Sequence, residues 1–342
     1  MGPERIEIAT VTLEEPEPNP DAVQDVVYPV VGRAVRRIRN SRFCDVHILG
    51  QWNEALDKAQ ILLPENRPLL TKLQEEFMES SEEEAFLVLK GQQLSQSLLP
   101  KVLCLTNSNV LKMLKPYLSA GLGPKIFSVD SDPVEMFLAL KEVTPGGDVS
   151  PVSPEDRTGV LQDSRLPKLV QMTGVDVIVA DLRTEAGEFG QEENLTKDNF
   201  LLLCLLALKS LPAGGVLVCC VHTVLTRFTA GLVYILHSVF NKVSLSPLQT
   251  DSRPSQLLVC AGYRGYEPTL LEVLQEVRQT LCELQGDRDV LEVVPMQQLL
   301  GDGRFQHFLK AANEAVLYRS LATVVRWEKQ LLQNSSMQGT EG

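Results

Sequence analysis

A few positions carry the residue types of acid–base chemistry. Asp181 closes the apolar run Val175-Asp176-Val177-Ile178-Val179-Ala180-Asp181. That pattern predicts a buried strand, and an acid at its carboxyl end stands where ligands sit in open α/β sheets. His222 lies two residues past Cys220, at the end of a second apolar run, Val216 to Val221. On a strand this spacing puts both side chains on one face. A histidine there can serve as a general base near neutral pH, in a site shared with Asp181; the plainer reading is a polar residue at a strand end. Gln256 opens the last apolar run, Ser255 to Gly262, with a carboxamide that cannot ionise. Asp130 ends the run Lys125 to Asp130, where a Rossmann-like site keeps an acid for ribose hydroxyls; it reads equally as an acid at the start of the next helix. Asn107 lies in the turn Thr106-Asn107-Ser108-Asn109-Val110, which has no glycine to let a cofactor approach the backbone closely.

The elements that must position these groups alternate. The pattern predicts strands over 101–105, 125–130, 175–181, 216–221 and 255–262, with helices over 110–118, 132–141 and 200–211. Asp132 and Pro133 open one of these helices, and Gly214-Gly215 turn the chain into the fourth strand. Such alternation predicts an α/β fold, a doubly wound and mostly parallel Rossmann-like sheet, with helical extensions at both ends. The expected divisions are a disordered acidic, Pro-rich tail over 1–24 and a helical N-terminal extension over 25–98. The sheet domain covers 99–265, a C-terminal helical extension 266–333, and a frayed tail 334–342. Within the extensions, residues 25–58 read as mainly helical, as do 67–78, 269–284 and 305–331.

The chain of 342 residues is 44% hydrophobic and 22% charged, as in ordinary globular proteins. Nothing in it resembles a membrane span or a secretory signal, so the expected place is the nucleus or cytoplasm. Seven cysteines sit mostly in apolar runs without paired spacing, which reads as reduced thiols, and no Cys/His set has zinc-ligand spacing, so no metal is expected. The net charge of −12 weighs against strong non-specific binding to RNA. One basic cluster, Arg33, Arg36, Arg37, Arg39 and Arg42, is either an RNA-facing patch or import signal, or a solvated helix face.

Beyond the apolar runs, a series of short motifs appears in order. They are Phe43-Cys44-Asp45, Ala180-Asp181, Gly190-Gln191-Glu192-Glu193-Asn194-Leu195, Gly231 to Tyr234, Ser252-Arg253-Pro254, Val293-Val294-Pro295, Gly301-Asp302 and Asn313-Glu314. From about Phe43 to Lys329 the series resembles the cap-specific mRNA (nucleoside-2'-O-)-methyltransferases, with their FtsJ-like, RrmJ-type fold. Members of that family move a methyl group from S-adenosylmethionine to a ribose 2'-hydroxyl with a Lys-Asp-Lys-Glu tetrad. The resemblance puts Asp181 at the family's Asp, but the central Lys falls on Cys220 and the Glu on Gln256, and the first Lys has only Lys72 as a weak counterpart. Asn107, Asp130 and Asp181 would face the cofactor, if any binds.

The resulting expectation is a catalytically degenerate relative that keeps the sheet as an RNA- or protein-binding module, with capped RNA or a protein of the capping machinery as partner. The alternative is an active S-adenosylmethionine-dependent enzyme with a divergent site, using His222 or an unplaced lysine as base.

Overall fold

The apolar runs become neighbours in one sheet. The computed structural model describes residues 10–14, 27–62, 101–105, 125–128, 149–151, 175–183, 190–248, 253–265 and 268–338. In chain order the first half has β1 (Val11–Glu14), β2 (Val30–Arg33), α1 (Val46–Leu62), β3 (Lys101–Leu105), β4 (Lys125–Ser128), β5 (Val149–Pro151) and β6 (Val177–Asp181). The second half has α2 (Glu192–Ser210), β7 (Val216–Val221), α3 (Arg227–Val239), β8 (Phe240–Pro247), β9 (Gln256–Tyr263), α4 (Pro268–Glu283), β10 (Arg288–Glu292), α5 (Met296–Gly301) and α6 (Gly303–Gln338). The helices expected over 67–78, 110–118 and 132–141 lie outside the described residues.

Eight strands form the main sheet in the order β1-β8-β9-β7-β6-β3-β4-β5. From β5 to β7 every pairing is parallel, while β9 runs antiparallel to both β7 and β8. The fold is therefore a largely parallel, Rossmann-like methyltransferase sheet flanked by helices, with helical extensions. β7 is buried at every position and β6 at all but its last, which is why both read as continuous apolar runs rather than alternating ones. α2 is buried on nearly all sides from Phe200 to Leu208, packed against α3 and α4 as well as the core. Gly214, at φ +83°, supplies the left-handed turn into β7.

The extensions pack on each other. α1 lies against α6, and a second core of Ile38, Trp52, Leu56, Leu225, Leu317 and Val324 fills the contact. The Trp52 indole donates to Ser320 Oγ at 3.0 Å, so its one polar atom is satisfied in the interior.

Three expectations change. Residues 25–58 are not mainly helical: Val30–Arg33 is a strand and the helix begins only at Val46. The strand exists because it pairs antiparallel with β10, itself not anticipated, in a two-stranded ribbon outside the main sheet. The basic cluster therefore lies on β2 and the irregular stretch after it, not on a helix face. Inside the segment expected as a disordered tail, Val11–Glu14 form β1 on the outer edge of β8, with Leu13 buried. Finally, α6 continues through Gln338.

Gly231 of α3 shows how closely the C-terminal segment seats. A methyl group added there would meet Val293 Cγ2 at 2.7 Å and the backbone nitrogen of Val294 at 3.2 Å. Gly231→Ala is expected to cost about 1–3 kcal/mol, because the segment must shift to admit it, read as a lower urea midpoint with an unchanged slope.

Candidate functional site

The sheet brings Asp181, Cys220, His222 and Gln256 to one edge. Asp181 and Cys220 are register partners at the carboxyl ends of β6 and β7, and the Leu182 amide donates to the Cys220 carbonyl at 2.9 Å. Because β9 is antiparallel, it begins at that same edge, with Gln256 opposite Val221 and Leu257 opposite Cys220. His222 follows directly on the end of β7. Asn107, Asp130 and Lys72 lie outside the described residues.

The retained acid is already engaged. Arg183 Nε donates to both Asp181 oxygens, at 2.9 and 3.2 Å, and its Nη2 donates to Oδ2 at 2.7 Å. The Arg183 backbone amide adds a bond to Oδ1 at 3.0 Å. The pair is largely shielded, its side chains 18% and 11% exposed. A guanidinium stays charged at any accessible pH and accepts no proton, so the cation beside Asp181 cannot act as a base. Arg183 was not among the expected site residues; its signal was a cation two residues after the acid, just past the strand end.

The other three groups are chemically quiet. Cys220 is fully buried, and burial, with the Asp181 charge adding, pushes its thiol up to about 12. It is a neutral thiol and not a nucleophile. Gln256 is also fully buried, and its amide nitrogen and oxygen find no hydrogen-bond partner among the described residues. Burial lowers His222 to about 4, and the charges of Arg183 and Arg253 act in the same direction. Its Nδ1 lies 3.2 Å from the Pro254 carbonyl oxygen, a contact that requires the proton on Nδ1. A base whose conjugate acid ionises near 4 has little driving force to take a proton at neutral pH.

Behind this edge, two buried side chains hold the loop from His222 to Thr226. Glu193 accepts from Thr223 Oγ1 at 2.6 Å and the Leu225 amide at 2.9 Å on one oxygen, and from the Thr226 amide at 2.8 Å on the other. Burial raises its pKa while these hydrogen bonds pull it down. Asn313 of α6 accepts from the Val224 amide at 3.0 Å and donates to the carbonyls of Val224 and Phe43 at 2.8 and 2.9 Å. The neighbouring Glu192 accepts from Arg253 at 2.9 Å and from the Gly190 amide at 2.8 Å. The two acids of the 190–195 turn thus split the work: Glu192 ties down the start of β9, and Glu193 the end of β7. Asn194, beside them, donates to the Val35 carbonyl at 2.8 Å.

Of the residues expected to face S-adenosylmethionine, Asn107 and Asp130 lie outside the described residues. Of the acids expected to face it, Asp181 is the described one, and both of its oxygens are bonded to Arg183. Among the described residues no group of three or more His, Cys, Asp or Glu could hold a metal ion, and no helix is long and apolar enough to cross a membrane.

No family model matches the chain. Cap-specific mRNA (nucleoside-2'-O-)-methyltransferase 2 of Danio rerio is 35% identical over 127 residues, 36% of this chain and 17% of that protein. The same enzyme of Pongo abelii is 31% identical over 165 residues, 46% of this chain and 21% of that protein. Cap-specific mRNA (nucleoside-2'-O-)-methyltransferase 1 of Homo sapiens is 32% identical over 147 residues, 42% of this chain and 18% of that protein. The chain is thus homologous to cap 2'-O-methyltransferases at low identity and over part of its length, and it spans about a fifth of these relatives. Among solved structures, an O-methyltransferase family protein from Burkholderia thailandensis aligns with a TM-score of 0.35 at 13% identity, over 62% of this chain and 72% of that one. NSun6 from Pyrococcus horikoshii aligns with a TM-score of 0.35 at 14% identity, over 54% of this chain and 51% of that one.

Two outcomes are expected. Asn313→Leu strands a buried amide and two buried carbonyls and should lower stability by about 3 kcal/mol, measured by urea denaturation. For His222 the folded value near 4 lies below the ordinary 6.5, so the unfolded chain takes up the proton first as pH falls. Its contribution to stability is complete above pH 6.5, drains away between 6.5 and about 4, and is gone below. His222→Gln should flatten the stability profile in that window, leaving the similar share of His237, also lowered to about 4 by burial.

Proposed function

We propose that this chain is a catalytically degenerate relative of the mRNA cap 2'-O-ribose methyltransferases that works as a binding module, with RNA as its ligand. The observation that carries this reading is the Arg183–Asp181 pair facing Cys220. In the family the acid positions a lysine that takes or polarises the hydroxyl proton. Here the acid holds a guanidinium within its own strand–loop junction, and the register partner is a buried neutral thiol. Without a general base the reaction forgoes about 10²–10⁴-fold in rate, before any question of holding the cofactor. The homology to cap methyltransferases and the arginines over 33–42 favour RNA as ligand over a protein of the capping machinery.

One feature favours a second reading, an active enzyme with a divergent site. His222 is kept neutral and oriented through Pro254, at the same edge as Asp181. The two readings separate in a methyl-transfer assay with labelled S-adenosylmethionine and capped RNA. The expected result is no incorporation by the full chain; incorporation that disappears in Asp181→Ala overturns the proposal. In parallel, a gel shift on capped RNA should show binding that weakens as salt rises. No shift at low salt means that the module binds protein instead.

A further inference from the structure

A cavity of about 690 Å³ opens where the two extensions meet the sheet domain. Its walls come from the stretch between β2 and α1, the first turns of α2 and α3, and from β10 and α5. Half-buried Leu291, Met296 and Leu300 give it an aliphatic floor. The polar groups of the inner wall are already answered. Ser41 donates to the Leu225 carbonyl at 2.7 Å and accepts from the Phe43 amide at 3.0 Å, while Asn194 donates to the Val35 carbonyl. Lys197 and Asp289 pair with each other.

The mouth combines positive charge with exposed apolar surface. Arg39 and Arg227 are more than half exposed, and each meets one acid at long range, Asp57 at 3.4 Å and Glu292 at 3.7 Å. Asp57 is shared with Arg37. Arg42 is exposed and has no ion-pair partner among the described residues. On a chain of net charge −12, this rim is a local positive field. Five large apolar side chains stand exposed among the described residues, and two of them are here: Val35 lines the cavity and Leu195 follows Asn194 of its wall, each 50% exposed. Apolar groups gathered within a polar rim mark an interaction surface.

We infer that this cavity docks an acidic peptide segment of a partner protein. Its aliphatic side chains would lie on Leu291, Met296 and Leu300 and against Val35 and Leu195, and its Asp or Glu carboxylates at Arg39, Arg42 and Arg227. Because the inner wall satisfies its own polar groups, an aliphatic side chain enters without leaving a donor or acceptor unpaired. A nucleic-acid base gains less: stacking needs an exposed ring, and the two rings of the lining, Phe43 and Phe228, are 0% and 2% exposed. The RNA of the proposed function would meet these arginines through its phosphates alone and would draw nothing from the floor. The peptide is thus a second partner beyond that RNA, recognised by charge and apolar contact together.

The test selects a random peptide library, displayed on phage, against the full chain. The expected result is enrichment of sequences with Asp or Glu beside Leu, Ile or Met. A synthetic, fluorescein-labelled copy of an enriched peptide then reports affinity by polarisation. Arg42→Glu and Arg227→Glu should each weaken it about tenfold or more, because each sets like charges against one another, whereas Arg264→Glu, exposed and outside the cavity lining, should not. The double variant Val35→Ser/Leu195→Ser should weaken the peptide about fivefold and leave a phosphate-held RNA unaffected. Unchanged melting temperatures verify that the variants fold. The inference is overturned if no peptide is enriched, if the enriched peptides lack acids, or if binding ignores either the charge reversals or the serine pair. Charge reversals that abolish the RNA gel shift while the selected peptides ignore them assign the rim to RNA and overturn it as well. An absent gel shift with wild-type chain removes the proposed function without touching the peptide result.

Discussion

The five residues from His222 to Thr226 are the junction on which the arrangement depends. They leave the sheet at the end of β7, line the candidate site on one side, and start α3 on the other. Their polar backbone is buried, and a buried backbone without partners costs more than a loop's own contacts return. Glu193 from α2 and Asn313 from α6 meet that demand between them, taking the amides of Val224, Leu225 and Thr226 and the carbonyl of Val224. Since Asn313 also bonds the Phe43 carbonyl, one amide side chain joins both extensions to the sheet. The extensions are therefore structural partners of the site edge rather than appendages.

That constraint bears on the chemistry. Glu193 carries its carboxylate into a fully buried place, where the hydrogen bonds of a rigid loop offset desolvation. At the end of β6, Asp181 and Arg183 close on each other through parallel hydrogen bonds. An ion pair of that kind is satisfied without a ligand. A methyl-transferring site needs the reverse, a lysine whose proton is held loosely enough to exchange with a hydroxyl. On the proposed reading the edge holds its shape, with Asp181 and Arg183 answering one another.

How much of this was legible in the sequence depends on where each element gets its stability. β6 and β7 are buried on both faces, so composition alone marks them. β2 and β10 are short and half-exposed, and each becomes a strand only through the other, far away in sequence. The same holds for β1, whose Val11-Thr12-Leu13 was masked by the Glu- and Pro-rich residues after it. At the site, the convergence of Asp181, Cys220 and Gln256 was implied by the family resemblance and not by strand order; Gln256 reaches the edge because β9 runs antiparallel to β7. The bond from Arg183 back to Asp181 was not legible, because a neighbour two residues away can point to either face once the strand has ended.

The motifs that resemble the cap methyltransferases divide by what they touch. Gly231 seats against Val293 and Val294, Asn313 bonds Phe43, and Glu192 bonds Arg253. In each case one member of the series meets another, so a change in either leaves a clash or an unpaired buried group. The positions that depart from the family, Cys220 and Gln256, would in an active enzyme answer to substrate and not to a packing partner. Gln256 is fully buried, and its side-chain amide finds no partner among the described residues. Mutual contacts of the first kind hold the fold independently of any reaction at the edge. On the proposed reading, a chain selected for binding has reason to keep the first set and none to keep the second.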